Sequence, residues 1–304
     1  MSRAYGIALL VACAVAISGC TLPGAASPTP FVFPTPNLTL TAIFAPTTSP
    51  TAPTTTGASE TPVVQSTQPV ETSGPQATGT AALQNARPNG LPVTAEYLTQ
   101  PPVIDGDLSE WTGDQYGVNN VVFGASNWTG GADLSGTYSV GWDSANLYLA
   151  IRVTDDKFVQ MSKGAYIYKG DSAEILLDSN LAGDFSGASL STDDYQIGLS
   201  PGNFGSIQPE AYRWFPKSVA GSLSSVQVAA SKTDSGYDLE ARIPWTVFGV
   251  TPLSGDHYGF VLSISDDDLA GTAVQQSLVS SVSTRVLTNP TTWGTLVLGP
   301  PTGK

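Results

Sequence analysis

The chain has 304 residues, of which 41% are hydrophobic and only 12% charged, with 31 glycines, 23 prolines and a formal net charge of −13. Only Glu60 and Glu71 among the acidic residues, and Arg3 and Arg87 among the basic ones, lie before residue 95, so the negative excess belongs to the C-terminal part. That balance excludes a nucleic-acid backbone as partner, because such affinity comes from Lys and Arg displacing counterions. Neutral ligands and divalent cations remain compatible with it. Two cysteines, Cys13 and Cys20, leave everything after residue 20 without a disulfide or a thiolate metal site.

The first 19 residues read as an export signal. Arg3 and the amino terminus precede an apolar run from Ile7 to Ile17, too short to span a bilayer. The run closes on Ile17-Ser18-Gly19-Cys20, which resembles the bacterial lipobox: an aliphatic residue, two small ones and a cysteine. The resemblance implies acylation of Cys20. Two or three acyl chains hold a protein on a membrane far better than one. The expected location is the bacterial cell envelope, with the exported chain lipid-anchored at the cell surface or outer membrane.

Residues 20–94 follow as a stalk. Positions 21–94 carry 13 of the 23 prolines, 17 threonines and three charges, namely Glu60, Glu71 and Arg87. So little apolar surface does not offset the entropy of ordering the chain, which predicts a disordered Thr/Pro-rich linker. Extended as polyproline II, it reaches roughly 200 Å, against about 50 Å as a flexible coil. Residues 95–304 are long enough to enclose one substantial core.

Beyond residue 95 the apolar pattern has period two. Strands are predicted at 134–142, 146–154, 172–178, 194–200, 211–215, 225–232, 237–243, 258–264 and 294–298. Leu147, Leu149, Ile151 and Val153 share one face, as do Tyr237, Leu239, Ala241 and Ile243. A short helical turn fits Pro244–Phe248, with proline at its start. Asp238 and Glu240 read as outward acids. Trp142, in phase with Tyr138 and Val140, is expected in the core, and Trp111, Trp245 and Trp293 in the scaffold. About ten strands predict an all-β, two-sheet antiparallel β-sandwich of jelly-roll or immunoglobulin-like type.

Six motifs occur in order: Pro102-Val-Ile-Asp105-Gly-Asp107-Leu-Ser-Glu-Trp111, Gly141-Trp142-Asp143-Ser-Ala-Asn146-Leu-Tyr148, Arg152-Val-Thr-Asp155-Asp156, Lys169-Gly-Asp171-Ser-Ala-Glu174-Ile-Leu-Leu-Asp178, Tyr237-Asp-Leu-Glu240-Ala-Arg-Ile-Pro244-Trp245 and Pro290-Thr-Thr-Trp293-Gly294. This order resembles the family-9 carbohydrate-binding modules over about 102–298. The resemblance implies a slot in which two aromatic rings sandwich the end of a glycan, with polar groups fixing its hydroxyls. Carried over by position, Tyr168 takes the place of the first clamp Trp, Glu174 is kept, and Gln196 and Ser200 match polar strand positions. Gly198 stands where the family has Arg, and Leu287 where it has the second Trp. Trp128 and Trp214 are candidates for a different aromatic platform.

The resemblance also implies structural calcium. Asp178-x-Asn180-x-x-x-Asp184 offers oxygen donors at short spacing in a loop. Further acidic groups occur at Asp105/Asp107, Asp155/Asp156, Asp193/Asp194 and Asp266-Asp267-Asp268. Relatives of the sandwich bind haem through Met and His or Lys, which singles out Met161 and His257. No catalytic motif is present, and one histidine limits triad chemistry. The expectation is a monomeric, non-catalytic carbohydrate-binding lipoprotein. Its rivals are a structural or protein-interaction sandwich and a haem electron carrier.

Overall fold

A computed structural model describes residues 86–301; the signal segment, Cys20 and the stalk up to residue 85 lie outside the described residues. The strands are β1 (Val93–Tyr97), β2 (Tyr116–Val118), β3 (Asn120–Phe123), β4 (Leu134–Trp142), β5 (Asn146–Asp155), β6 (Ser172–Asp178), β7 (Asp194–Ser200), β8 (Glu210–Phe215), β9 (Gly221–Ser222), β10 (Gln227–Thr233), β11 (Gly236–Pro244), β12 (His257–Asp266), β13 (Ser277–Ser280) and β14 (Gly294–Leu298). The strands beyond those predicted are β1, β2, β3, β9 and β13. None exceeds five residues, and short runs carry little period to read.

The strands run β10-β11-β5-β4-β1-β14-β12-β6-β7-β8-β9 across a curled sheet, with β2 on β4, and β13 between β12 and β3. Most pairings are antiparallel, as expected, but β1 is parallel to both of its neighbours. Val93–Ala95 pair with Leu296–Leu298 of β14, then Glu96 and Tyr97 pair with Gly141 and Trp142 of β4. One strand thus crosses from one layer of the sandwich to the other and joins them.

Alternation places Leu147, Leu149, Ile151 and Val153 of β5 and Tyr237, Leu239, Ala241 and Ile243 of β11 in the core. There they join Ile175 and Leu177 of β6 and Phe260, Leu262 and Ile264 of β12 from the other layer. The β4–β5 hairpin is turned by Asp143, whose Oδ1 accepts from the N–H groups of Ala145 and Asn146, both at 2.7 Å. Trp142 is buried and donates from Nε1 to the Gly299 oxygen at 3.1 Å. The helical turn is a 3₁₀ turn at Trp245–Val247.

Two sequence expectations change. Asp238 and Glu240 are buried rather than outward. Glu240 accepts from the N–H groups of Asp105 and Gly106 and from Trp111 Nε1, at 3.1, 2.8 and 2.7 Å, so it ties the opening loop to β11. The folded body also begins upstream of residue 95. Arg87, read with the stalk, is buried and donates from Nη2 to Asp178 Oδ2 at 2.7 Å.

Period two also defines the outer face of the layer that holds β6, β7 and β12. It presents Glu174, Leu176 and Asp178 from β6, Gln196 and Gly198 from β7, and Gly259, Val261 and Ser263 from β12. Leu176 and Val261 form a second apolar cluster with Val282 and Trp293, against which Leu190 and Leu287 pack. This cluster fastens the segment between β13 and β14 over the sheet.

Candidate functional site

Beside that small cluster, the outer face opens into a cleft of about 580 Å³ whose lining includes Tyr168, Glu174, Gln196, Trp214, Arg285 and Leu287. Glu174 is opposite Gly198 in the β6–β7 ladder, two pairs from the Leu176–Gln196 pair. Both side chains therefore rise on the same side. Gln196 Nε2 donates to Glu174 Oε2 at 2.7 Å, and Arg285 Nη2 pairs with Glu174 Oε1. The side chains of Arg285 and Glu174 are only 8% and 12% exposed, so water screens the pair little. Arg285 comes from the segment after β13, 111 residues from Glu174 in sequence.

The aromatic wall is built from two elements. Tyr168 sits on a 3₁₀ turn, Gly164–Lys169, and its main-chain oxygen accepts from Ser265 Oγ at 2.8 Å. Trp214 projects from β8, with Nε1 donating to the Ala165 oxygen at 2.9 Å. The rings meet edge-on, with centroids 6.0 Å apart and planes at 78°. Gly198 makes this possible, because a Cβ there would run into the outer ring atoms of the Trp214 indole and come within 2.9 Å of Ile167 Cδ1. Opposite, Leu287 supplies an aliphatic wall.

Three of the expected binding residues, Tyr168, Glu174 and Gln196, come together here. Two do not. Ser200 is fully buried and its Oγ accepts from the Gly202 N–H at 3.2 Å. Trp128 is half-buried against the main core, with Nε1 on the Leu134 oxygen at 2.9 Å. The sequence reading passed over Arg285, Phe123 and Gln275, which also line the cleft. The signal for Arg285 was indirect: a guanidinium missing at Gly198 and a basic residue two positions before Leu287.

Three groups of acids each bring three carboxylate oxygens within 4.8 Å of one another: Asp155/Asp171/Asp266, Asp133/Asp156/Asp268 and Asp178/Asp184/Asp193. In the first, all three residues are buried, and Asp155 Oδ2, Asp171 Oδ1 and Asp266 Oδ1 have no hydrogen-bond partner. Burial pushes Asp155 up to about 6 and Asp266 up to about 7, and it raises Asp171 well above the ordinary range. Converging, unpartnered oxygens of this kind suit a hard divalent cation. The third group contains two of the three expected calcium ligands, Asp178 and Asp184. Asn180 joins it through its main-chain N–H, which donates to Asp178 Oδ1 at 3.0 Å. The other oxygen of Asp178 already holds Arg87.

His257 and Met161 lie towards opposite ends of one sheet. His257 opens β12, whereas Met161 follows Gln160, whose amide donates to the Asp171 oxygen beside β6 Ser172, the partner of Ser265 on β12. Eight residues of strand separate His257 from Ser265, roughly 26 Å at the rise of a strand, a separation that does not suit one axial pair.

Sandwich and cleft together define a ligand-binding β-sandwich module. The family model described as carbohydrate family 9 binding domain-like matches residues 104–300, and the chain belongs to that family. It is 32% identical over 182 residues to "Exoglucanase XynX" of Acetivibrio thermocellus and 31% identical over 183 residues to "Endo-1,4-beta-xylanase A" of Thermoanaerobacterium saccharolyticum. These matches cover 59% of this chain but only 14% and 13% of the two relatives. Among solved structures, a family 9 module from Caldicellulosiruptor kristjanssonii is similar at a TM-score of 0.54 and 21% identity. Its complex with cellotriose matches over 70% of this chain and 95% of that one, and its complex with glucose over 70% and 98%.

Proposed function

We propose that this chain is a non-catalytic carbohydrate-binding lipoprotein, held as a monomer on the bacterial cell envelope through acylated Cys20 and a Thr/Pro-rich stalk. The observation that carries the reading is the cleft. A largely dry Glu174–Gln196–Arg285 network lies at the foot of an aromatic wall of Tyr168 and Trp214. Sugar rings offer apolar C–H faces for the aromatics and hydroxyls for the polar network. The family membership and the cellotriose and glucose complexes of the Caldicellulosiruptor module support a glycan ligand.

The lining supports binding without cleavage. Hydrolysis by paired carboxylates needs two acids flanking one bond. The cleft lining holds one, Glu174, with both oxygens engaged. Calcium belongs to the proposal as a structural ion held by Asp155, Asp171 and Asp266.

The test is titration of the purified chain with a panel of neutral oligosaccharides, followed by tryptophan fluorescence, alongside Tyr168→Ala. Saturable binding lost in the variant supports the slot, and binding retained moves the site elsewhere. No binding to any glycan favours a protein-interaction role, for which Phe123 and Val286, about half exposed at the cleft rim, are the apolar contacts. Anchoring is read separately, by incorporation of an alkyne fatty acid that Cys20→Ala abolishes.

A further inference from the structure

We propose that Arg285, delivered by the segment between β13 and β14, is the sugar-reading guanidinium of this slot, and that the slot selects neutral glycans through a pair of neighbouring hydroxyls. The inference rests on the carbohydrate reading above and goes further by naming the reader and the ligand class.

The argument begins at Gly198. The strand position that faces Glu174 carries no side chain, and the space above it is filled by the indole of Trp214, which the Ala165 oxygen holds in orientation. No guanidinium can rise from β7 there without expelling that ring. The one cation lining the cleft instead comes from the opposite side, on the segment fastened by Leu287 and Trp293. Gly198, Trp214 and Arg285 thus form one arrangement: the ring takes the strand position and the charge enters from the loop.

The hydrogen-bond inventory then fixes the roles. Glu174 gives one oxygen to Arg285 and the other to Gln196, so it orients both readers, and each oxygen keeps a further lone pair. Arg285 carries five N–H donors, and its Nε has no partner. Gln196 donates to Glu174, and Gln275 donates to Ser265 Oγ at 2.8 Å, which leaves the side-chain carbonyl of each as an acceptor. The slot therefore offers donors from a planar fork beside two acceptors. Adjacent hydroxyls, which both give and take hydrogen bonds, match that pattern. A carboxylate only accepts.

Charge points the same way. Glu174 already neutralises Arg285, so the cleft lining carries no net charge within a chain of −13. A uronic acid would have to displace Glu174 from the guanidinium against the field of the whole chain. A neutral sugar need not.

The test is calorimetric titration of the full chain with cellotriose, xylotriose and an oligogalacturonate, on the parent, Arg285→Lys, Arg285→Ala and Tyr168→Ala. Arg285→Lys keeps a positive partner for Glu174 but loses the fork. It is expected to melt close to the parent and to bind neutral trisaccharides about ten- to hundredfold more weakly, as loss of a charge-assisted hydrogen bond implies. Arg285→Ala is expected to bind no better than Arg285→Lys. Should Arg285→Lys bind within twofold of the parent while Tyr168→Ala loses binding, the slot stands and the role given to Arg285 is overturned. Oligogalacturonate binding as tight as that of the neutral sugars overturns the ligand class. A parent that binds none of the three sinks both this inference and the carbohydrate reading beneath it.

Discussion

The hydroxyl of Ser265 donates to the main-chain oxygen of Tyr168 at 2.8 Å, and the residue that follows Ser265 is Asp266, one of three buried acids whose oxygens converge. Asp171, another of the three, lies three residues after Tyr168. The C-terminal end of the turn that carries the cleft tyrosine is thus tied to the acidic cluster, through Ser265 beside Asp266 and through the short step to Asp171. Removing calcium should consequently loosen the cleft as well as the fold. In chelator the chain is expected to melt several degrees lower and to bind neutral oligosaccharide more weakly, with both restored by calcium. Asp171→Asn should reproduce the chelated state in calcium. Melting curves and titrations with and without chelator check it; equal affinity in the two conditions would sever the cluster from the site.

Acidity gives the same cluster a second signature. Without a cation, burial raises Asp155 to about 6 and Asp266 to about 7, and holds Asp171 well above the ordinary 3.8. Between the ordinary and the raised values the folded chain holds more protons than the unfolded one, so stability falls as pH rises from about 4 to 7. Melting temperature in chelator is expected to drop across that window. Bound calcium favours the charged carboxylates at Asp155 and Asp266, which should flatten the profile. A rise in stability over this range in chelator would contradict the raised values.

Arg87 supplies a test outside the cleft. Its ion pair with Asp178 is almost wholly buried, at 1% and 0% exposure of the two side chains. Removing one partner strands the other charge, which costs about 3–5 kcal/mol. Arg87→Ala should lower the denaturant midpoint accordingly while leaving glycan affinity unchanged, because Arg87 does not line the cleft.

Ser200 and Trp128 should be silent in binding. Ser200→Ala and Trp128→Phe are expected to keep parental affinity for any glycan that the chain binds. Trp128→Phe should also cost about 1 kcal/mol of stability, through loss of the bond to the Leu134 oxygen. Isothermal titration of the two variants decides whether either residue contributes to recognition.

The long strands were legible because a period of two repeats enough times in β4, β5, β11 and β12 to assign a face to each residue. Tyr168, Glu174 and Gln196 were legible too, through the family resemblance, which assigns each of them by position. Arg285 was not, because it reaches Glu174 across 111 residues of chain and no pattern in either strand requires it. Glu240 alternates with core residues as a surface acid does, and only the opening loop folding over it makes it buried. Asp155, Asp171 and Asp266 sit in three separate segments, so their convergence is a property of the β5, β6 and β12 ends and not of spacing. Arg87 was hidden by its surroundings: a proline- and threonine-rich composition describes the average of a segment and misses one cation that finds a carboxylate.

The parallel course of β1 bears on how the module would carry a load. A pull applied through the residues before Arg87 acts along β1 and meets first the buried Arg87–Asp178 pair, then the Asn89 amide bonds to the Thr291 and Trp293 oxygens, then the β1–β14 ladder. Because β14 points the same way, the hydrogen bonds between them are strained together in shear and not peeled one at a time. Beyond β14 the strain passes into β12 and β6, the strands beside the cleft. Under the anchoring and glycan binding proposed above, tension between ligand and stalk would load these strands, where resistance depends on the rate of rupture rather than on the depth of the free-energy minimum.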